Sequence, residues 1–82
     1  MKITLTANAE KQYFGLPKNL RRLVDKQFEY LGNNPRHPSL NIKKYQGKIS
    51  DLWQGRVNQR YRFYFQIRED VYLILAITDH PK

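Results

Sequence analysis

Eighty-two residues with fifteen Lys and Arg, seven Asp and Glu, a formal charge of +8 and no cysteine fit one domain, 1–82, near the lower end of what a single apolar core stabilises. The missing cysteines exclude a disulfide framework and a thiolate metal site, and two histidines with seven scattered carboxylates make a poor set of metal ligands. The excess of positive charge favours polyanions, or an acidic protein, as partners in fast and salt-sensitive association.

Lys2 to Thr6 alternates polar and apolar residues with β-branched side chains, which predicts a short strand with Ile3 and Leu5 toward the core. Thr6 or Asn8 then caps a helix over Ala9 to Phe14. Gly15 and Pro17 interrupt it before a second helix with Pro17 near its first position. In that helix Leu20, Leu23, Val24, Phe28 and Leu31 fall on one face and read as core, while Arg21 and Arg22 belong to a solvated outer face. The helix stops at Gly32 to Pro35, and Arg36 to Leu40, with two prolines, reads as an irregular loop. His37 lies there as an exposed turn residue, and Ser39 has no obvious base beside it.

From Asn41 onward the pattern is strand: Ile42 to Tyr45, a turn at Gly47, Leu52 to Asn58, Tyr61 to Arg68, a turn at Glu69-Asp70, and Val71 to Thr78. Short connections make these an antiparallel meander. The fold class is α+β, with an N-terminal strand and a helical hairpin packed on a mainly antiparallel four-stranded sheet. Tyr61, Phe63, Phe65 and Ile67 share the helix-facing side, and Arg60, Arg62, Tyr64, Gln66 and Arg68 share the other. The same parity puts Trp53 and Val57 toward the core and Gln54, Arg56 and Asn58 with the arginines, so Arg56 and Arg62 converge across neighbouring strands. The last strand is apolar on both faces, as a central strand should be. Strict alternation carries His80 to the side of Ile74 and Ala76.

Guanidiniums with an imidazole that titrates near neutral pH suit a phosphodiester substrate. The longest apolar run, Val71 to Ile77, is far short of the roughly 20 residues a membrane helix needs, and the N-terminus lacks the apolar stretch of a signal peptide. A soluble, cytoplasmic protein without a membrane is therefore expected. Gly15, Gly32, Gly47 and Gly55 are isolated, which leaves no glycine-rich phosphate loop. Gly55 marks either a close backbone approach or a bulge. Most tyrosines are packing, with Tyr64 and Tyr45 left as candidates to stack on bases.

The ordered set Trp53, Arg56, Tyr61-Arg62, Tyr64 and Asp79-His80 resembles the core signature of the RelE/ParE superfamily of bacterial toxin–antitoxin toxins, and its spacing is most similar to that of the YoeB-type ribosome-dependent mRNA interferases. The resemblance runs without a gap from Lys43 to the C-terminus, and the preceding elements agree in order and length. It implies a toxin with a cognate antitoxin, an acidic segment of which folds over the basic groove, and with mRNA and the 70S ribosome as further partners. It also implies cleavage without metal or cofactor, in which the ribose 2′-OH attacks the adjacent phosphate and leaves a free 5′-OH. By that resemblance Arg62 stabilises charge on the scissile phosphate, for which lysine is a poor substitute, and His80 is the general acid. Arg56 is either a second transition-state contact or a positioning phosphate ligand, and Lys44, Arg60 and Tyr64 complete the RNA-binding set.

Where YoeB-type toxins carry a glutamate thought to act as base, this chain has Lys43, followed by Lys44. A lysine amine among arginines is a candidate base, because like charge favours its neutral form. The chain ends Pro81-Lys82, where many members continue with a tyrosine or another basic residue. A ParE-like inhibitor of DNA gyrase shares the fold and needs no acid or base. A third reading is a non-catalytic member that binds RNA or ribosomes through the basic face.

Overall fold

The computed structural model describes residues 1–45, 47 and 51–79. The N-terminal strand β1, Lys2–Leu5, turns into α1, Ala7–Phe14, at Thr6, whose Oγ1 accepts the backbone N–H of Ala9 as an N-cap side chain should. Pro17 starts α2, Lys18–Asn33, where its missing N–H costs no intrahelical bond. Past α2 the expected irregular loop contains one 3-10 turn, Pro38–Leu40, capped by His37, whose Nδ1 accepts the Ser39 N–H.

Four further strands follow: β2 (Lys43–Lys44), β3 (Trp53–Arg56), β4 (Tyr61–Arg68) and β5 (Val71–Asp79). They form a five-stranded sheet in the order β1-β5-β4-β3-β2. The meander expected from short connections is present, and β1 adds a fifth strand, parallel to β5. Placing β5 between β1 and β4 accounts for its apolar residues on both faces. β2 and β3 are shorter than the runs of strand-forming residues that announced them.

Both helices lie on one face of the sheet. Val24 and Leu31 of α2 and Ala9 of α1 are buried with Phe63, Phe65, Tyr72, Ile74 and Ile77, and the Phe28 ring meets Phe63 edge-on at 5.2 Å, a favourable aromatic geometry. The α2 stripe differs from its expected composition at two places. Leu23 is 38% exposed, and Gln27 is buried at 5%, because the buried line follows the i, i+3, i+7 row Val24, Gln27, Leu31. Gly55 is the close approach rather than the bulge. Its φ is not positive, yet a β-carbon there would stand 2.2 Å from the Phe63 ring, so the fully buried phenylalanine lies over bare backbone.

The bulge is elsewhere. Tyr64 pairs with Ala76 but Phe65 pairs with Ile74, leaving Leu75 as the extra residue in β5. The Leu75 carbonyl accepts bonds from Thr6 Oγ1 and Asn8 Nδ2, and the Ile77 N–H is taken by Gln12 Oε1 at 2.8 Å. The start of α1 thus satisfies the β5 edge where β1 ends. The bulge also breaks period-2 parity: Ile74 and Ile77 face the helices, while Ala76 and Thr78 face away. Strict alternation, which had put Ile74 and Ala76 on one side, fails at this point.

Candidate functional site

The sheet face turned away from the helices carries the basic residues in register. Arg56 of β3 is the direct cross-strand partner of Arg62 of β4, and Arg62 is in turn opposite Thr78 of β5. One row along the same face come Lys43, Gln54, Tyr64 and Ala76. Strand spacing of ~4.8 Å and a two-residue step of ~6.7 Å put the Lys43 backbone roughly 8 Å from Arg56 and roughly 12 Å from Arg62.

The arginines are held differently. Arg62 is only 9% exposed, and its Nη1 donates to the carbonyls of Asn58 and Tyr61. It is anchored by the β3–β4 hairpin, whose backbone N–H groups at Arg60 and Tyr61 are in turn capped by Asn58 Oδ1. Arg56 is half-buried and its Nε–H is buried without an acceptor among the described residues, while its backbone carbonyl accepts Gln27 Nε2 at 2.8 Å. Like charges directly opposite each other destabilise a sheet. Two guanidiniums paired in this way, one of them nearly buried, set charged donors of the kind that suits an anion side by side.

Two other basic residues stand apart from this face. Lys44 is opposite Trp53, in the row that faces the helices, so it does not act beside Lys43. Arg60 gives its fork to Asp79, with Nε 3.0 Å from both carboxylate oxygens and Nη2 at 2.8 Å. This hydrogen bond and the charge of Asp79 raise the Arg60 pKa further above its ordinary value. Arg60 therefore ties the hairpin to the end of β5 instead of standing free for a ligand. The expected acid, His80, lies outside the described residues, immediately after Asp79, the register partner of Tyr61.

Sequence reasoning missed Gln27, a polar residue that reads as surface until its burial is seen, and it placed Asn58 on the arginine face without its role as the hairpin cap. Gln27 also donates to the Ser39 carbonyl at 3.2 Å and so clamps the loop after α2 to β3. Ser39 does have an imidazole beside it, with His37 Nδ1 2.7 Å from its Oγ, and the His37 ring stacks on Tyr30 at 3.8 Å. The described residues include no group of three His, Asp or Glu side chains placed to hold a metal ion, and none of their helices is long and apolar enough to cross a membrane.

Solved structures share this architecture over nearly the whole chain. A YoeB/ParE toxin from Agrobacterium tumefaciens superposes with a TM-score of 0.82 at 13% identity, covering 99% of this chain and 100% of that one. The YoeB–YefM complex from Staphylococcus aureus gives 0.80 at 14%, covering 99% and 98%. The archaeal RelE–RelB complex from Pyrococcus horikoshii gives 0.77 at 20%, covering 95% and 92%. The fold is that of the RelE/ParE toxins. No protein-family model matches the chain, and no curated protein sequence matches it. At these identities the RelE/ParE likeness is one of fold, and the chemistry has to be argued from the side chains.

Proposed function

We propose that this RelE/ParE-fold protein is the toxin of a type II toxin–antitoxin system and acts as a metal-free endoribonuclease on mRNA in the ribosome. The observation that carries the reading is the direct cross-strand opposition of Arg56 and Arg62 on the sheet face turned away from the helices, beside Lys43 and Tyr64. The paired guanidiniums bind the phosphodiester and stabilise the extra negative charge that develops as the 2′-OH attacks phosphorus, with Arg62, fixed by two carbonyls, as the preorganised donor. The proton of the 2′-OH passes to the Lys43 amine as the base of the step. His80 supplies a proton to the departing 5′ oxygen, leaving a 2′,3′-cyclic phosphate and a 5′-OH. The ribosome orients the substrate, and an acidic antitoxin neutralises the toxin by covering the basic face. The complexes of other toxins of this fold with YefM and RelB support such a partner.

A purified translation system tests this directly. Wild type is expected to cut a defined mRNA in the decoding site with 5′-OH ends, and Arg62→Ala and His80→Ala to lose on the order of 100-fold or more. One feature favours a second reading, a binding-only homologue: Arg62 is nearly buried and spends Nη1 on the hairpin carbonyls. Ribosome binding without any cut would establish that alternative. Absence of both would redirect the search to DNA gyrase, the target expected of a ParE-like inhibitor.

A further inference from the structure

Beside the arginine pair, on the same face, stand two tyrosines that the core does not use. Tyr64 lies two residues from Arg62 in β4, between Gln54 and the small Ala76. Tyr45 follows β2 and is 44% exposed. Their rings meet at 87° with centroids 5.8 Å apart, forming a right-angled corner. Gly47 lies so close to Tyr45 that a β-carbon would stand 2.2 Å from its Cε2, which fits the ring against bare backbone.

We propose that Tyr45 and Tyr64 form a base-binding subsite that seats one nucleobase of a single-stranded RNA whose phosphate is held by Arg56 and Arg62. This deepens the reading given under Proposed function and rests on it. A planar base enters a perpendicular corner by lying flat on one ring while its edge meets the other. Aromatic faces beside cationic side chains are the arrangement by which single-stranded nucleic acid is gripped, because every base offers a π-face. On the other side of Tyr64, toward β5, its cross-strand partner is the small Ala76. Stacking tolerates any base and favours purines, which present the larger face, so the subsite biases where a strand sits without reading its full sequence.

The test uses a single-stranded RNA of about ten nucleotides with 2′-O-methyl sugars, which cannot be cleaved, and 2-aminopurine placed at each position in turn. Wild type is expected to quench the probe at one position. Tyr64→Ala and Tyr45→Ala should restore its fluorescence, and Tyr64→Phe should keep the quenching, with circular dichroism melts confirming that each variant folds. Tyr64→Ala should weaken binding by about 5- to 150-fold. An abasic nucleotide at the quenched position should weaken wild type by a similar factor and leave the variant unchanged. Quenching that survives both alanine variants, or an equal loss on intact and abasic RNA, overturns the subsite while leaving the RNA reading intact. If wild type binds no RNA, or binds it equally well after Arg56→Ala and Arg62→Ala, the reading itself fails and the subsite falls with it.

Discussion

Replacing each arginine of the opposed pair by methionine separates the two jobs the pair combines. Methionine keeps the apolar stem and removes the charge. Arg56→Met removes a like charge directly across from Arg62, worth ~0.2–1 kcal/mol in a sheet. It also removes a buried Nε–H with no acceptor among the described residues, so the protein should gain about 1 kcal/mol at low salt. Arg62→Met relieves the same repulsion but takes the Nη1 donor from the Asn58 carbonyl and from the Tyr61 carbonyl, which keeps the Val57 N–H, a loss of about 1–3 kcal/mol, so it should destabilise. For a domain of this size 1 kcal/mol moves the melting midpoint by about 4–8 °C, well within the reach of calorimetry. The Arg56→Met gain should shrink at about 1 M salt, where the screening length falls to ~3 Å, and inorganic phosphate should raise the midpoint of wild type more than that of either variant. A lower midpoint for Arg56→Met at low salt would refute the view that this pair is strained in the absence of an anion.

Gly55→Ala should destabilise by about 1–3 kcal/mol in urea, since its β-carbon would collide with the buried Phe63 ring. Phe63→Leu should make the second change cheaper than additivity allows, and strict additivity would show that the ring is not the obstacle. Gln27→Leu should cost about 1–3 kcal/mol by leaving the Ser39 and Arg56 carbonyls without this donor, and an unchanged urea midpoint would show the clamp to be idle. The Tyr13 hydroxyl donates to Asp25 at 2.6 Å, and that bond, together with desolvation and the charge of Asp25, raises its pKa above the ordinary 10.0. Because the folded-state value is the higher one, the stabilisation is present below about pH 10 and is lost as pH rises through the folded pKa. Ultraviolet titration should therefore find one tyrosine of wild type ionising late, and Asp25→Asn should return it to the ordinary range.

The elements and the arginine face were legible because each rests on a short-range signal. Thr6 and Pro17 announce helix starts, and Tyr61 to Arg68 alternates so cleanly that its bounds match β4. What could not be read depends on groups distant in sequence. Gln27 is buried because the Arg56 carbonyl, 29 residues on, needs a donor. Lys44 and Lys43 look equivalent as neighbours, and only the pairing of β2 with β3 separates their faces. Arg60 looks like one more free cation until Asp79, 19 residues on, is seen to take its fork.

The bulge at Leu75 is the case in which a local rule and a tertiary contact give opposite answers, and the contact wins. A period-2 strand cannot keep Ile74 and Ile77 both in the core, since they are three residues apart. The capping of Leu75 and Ile77 by Thr6, Asn8 and Gln12 lets β5 skip one residue and bury both. That skip decides what stands beside the arginines. It turns Ala76 and Thr78 onto their face in register with Tyr64 and Arg62, whereas an unbulged β5 that kept Ile74 buried would present Leu75 and Ile77 there. Two large aliphatic side chains would then flank the arginine pair in place of a methyl group and a hydroxyl. In this fold α1, packed on the opposite face of the sheet, determines through one extra residue whether small and polar or large aliphatic side chains stand beside the arginines.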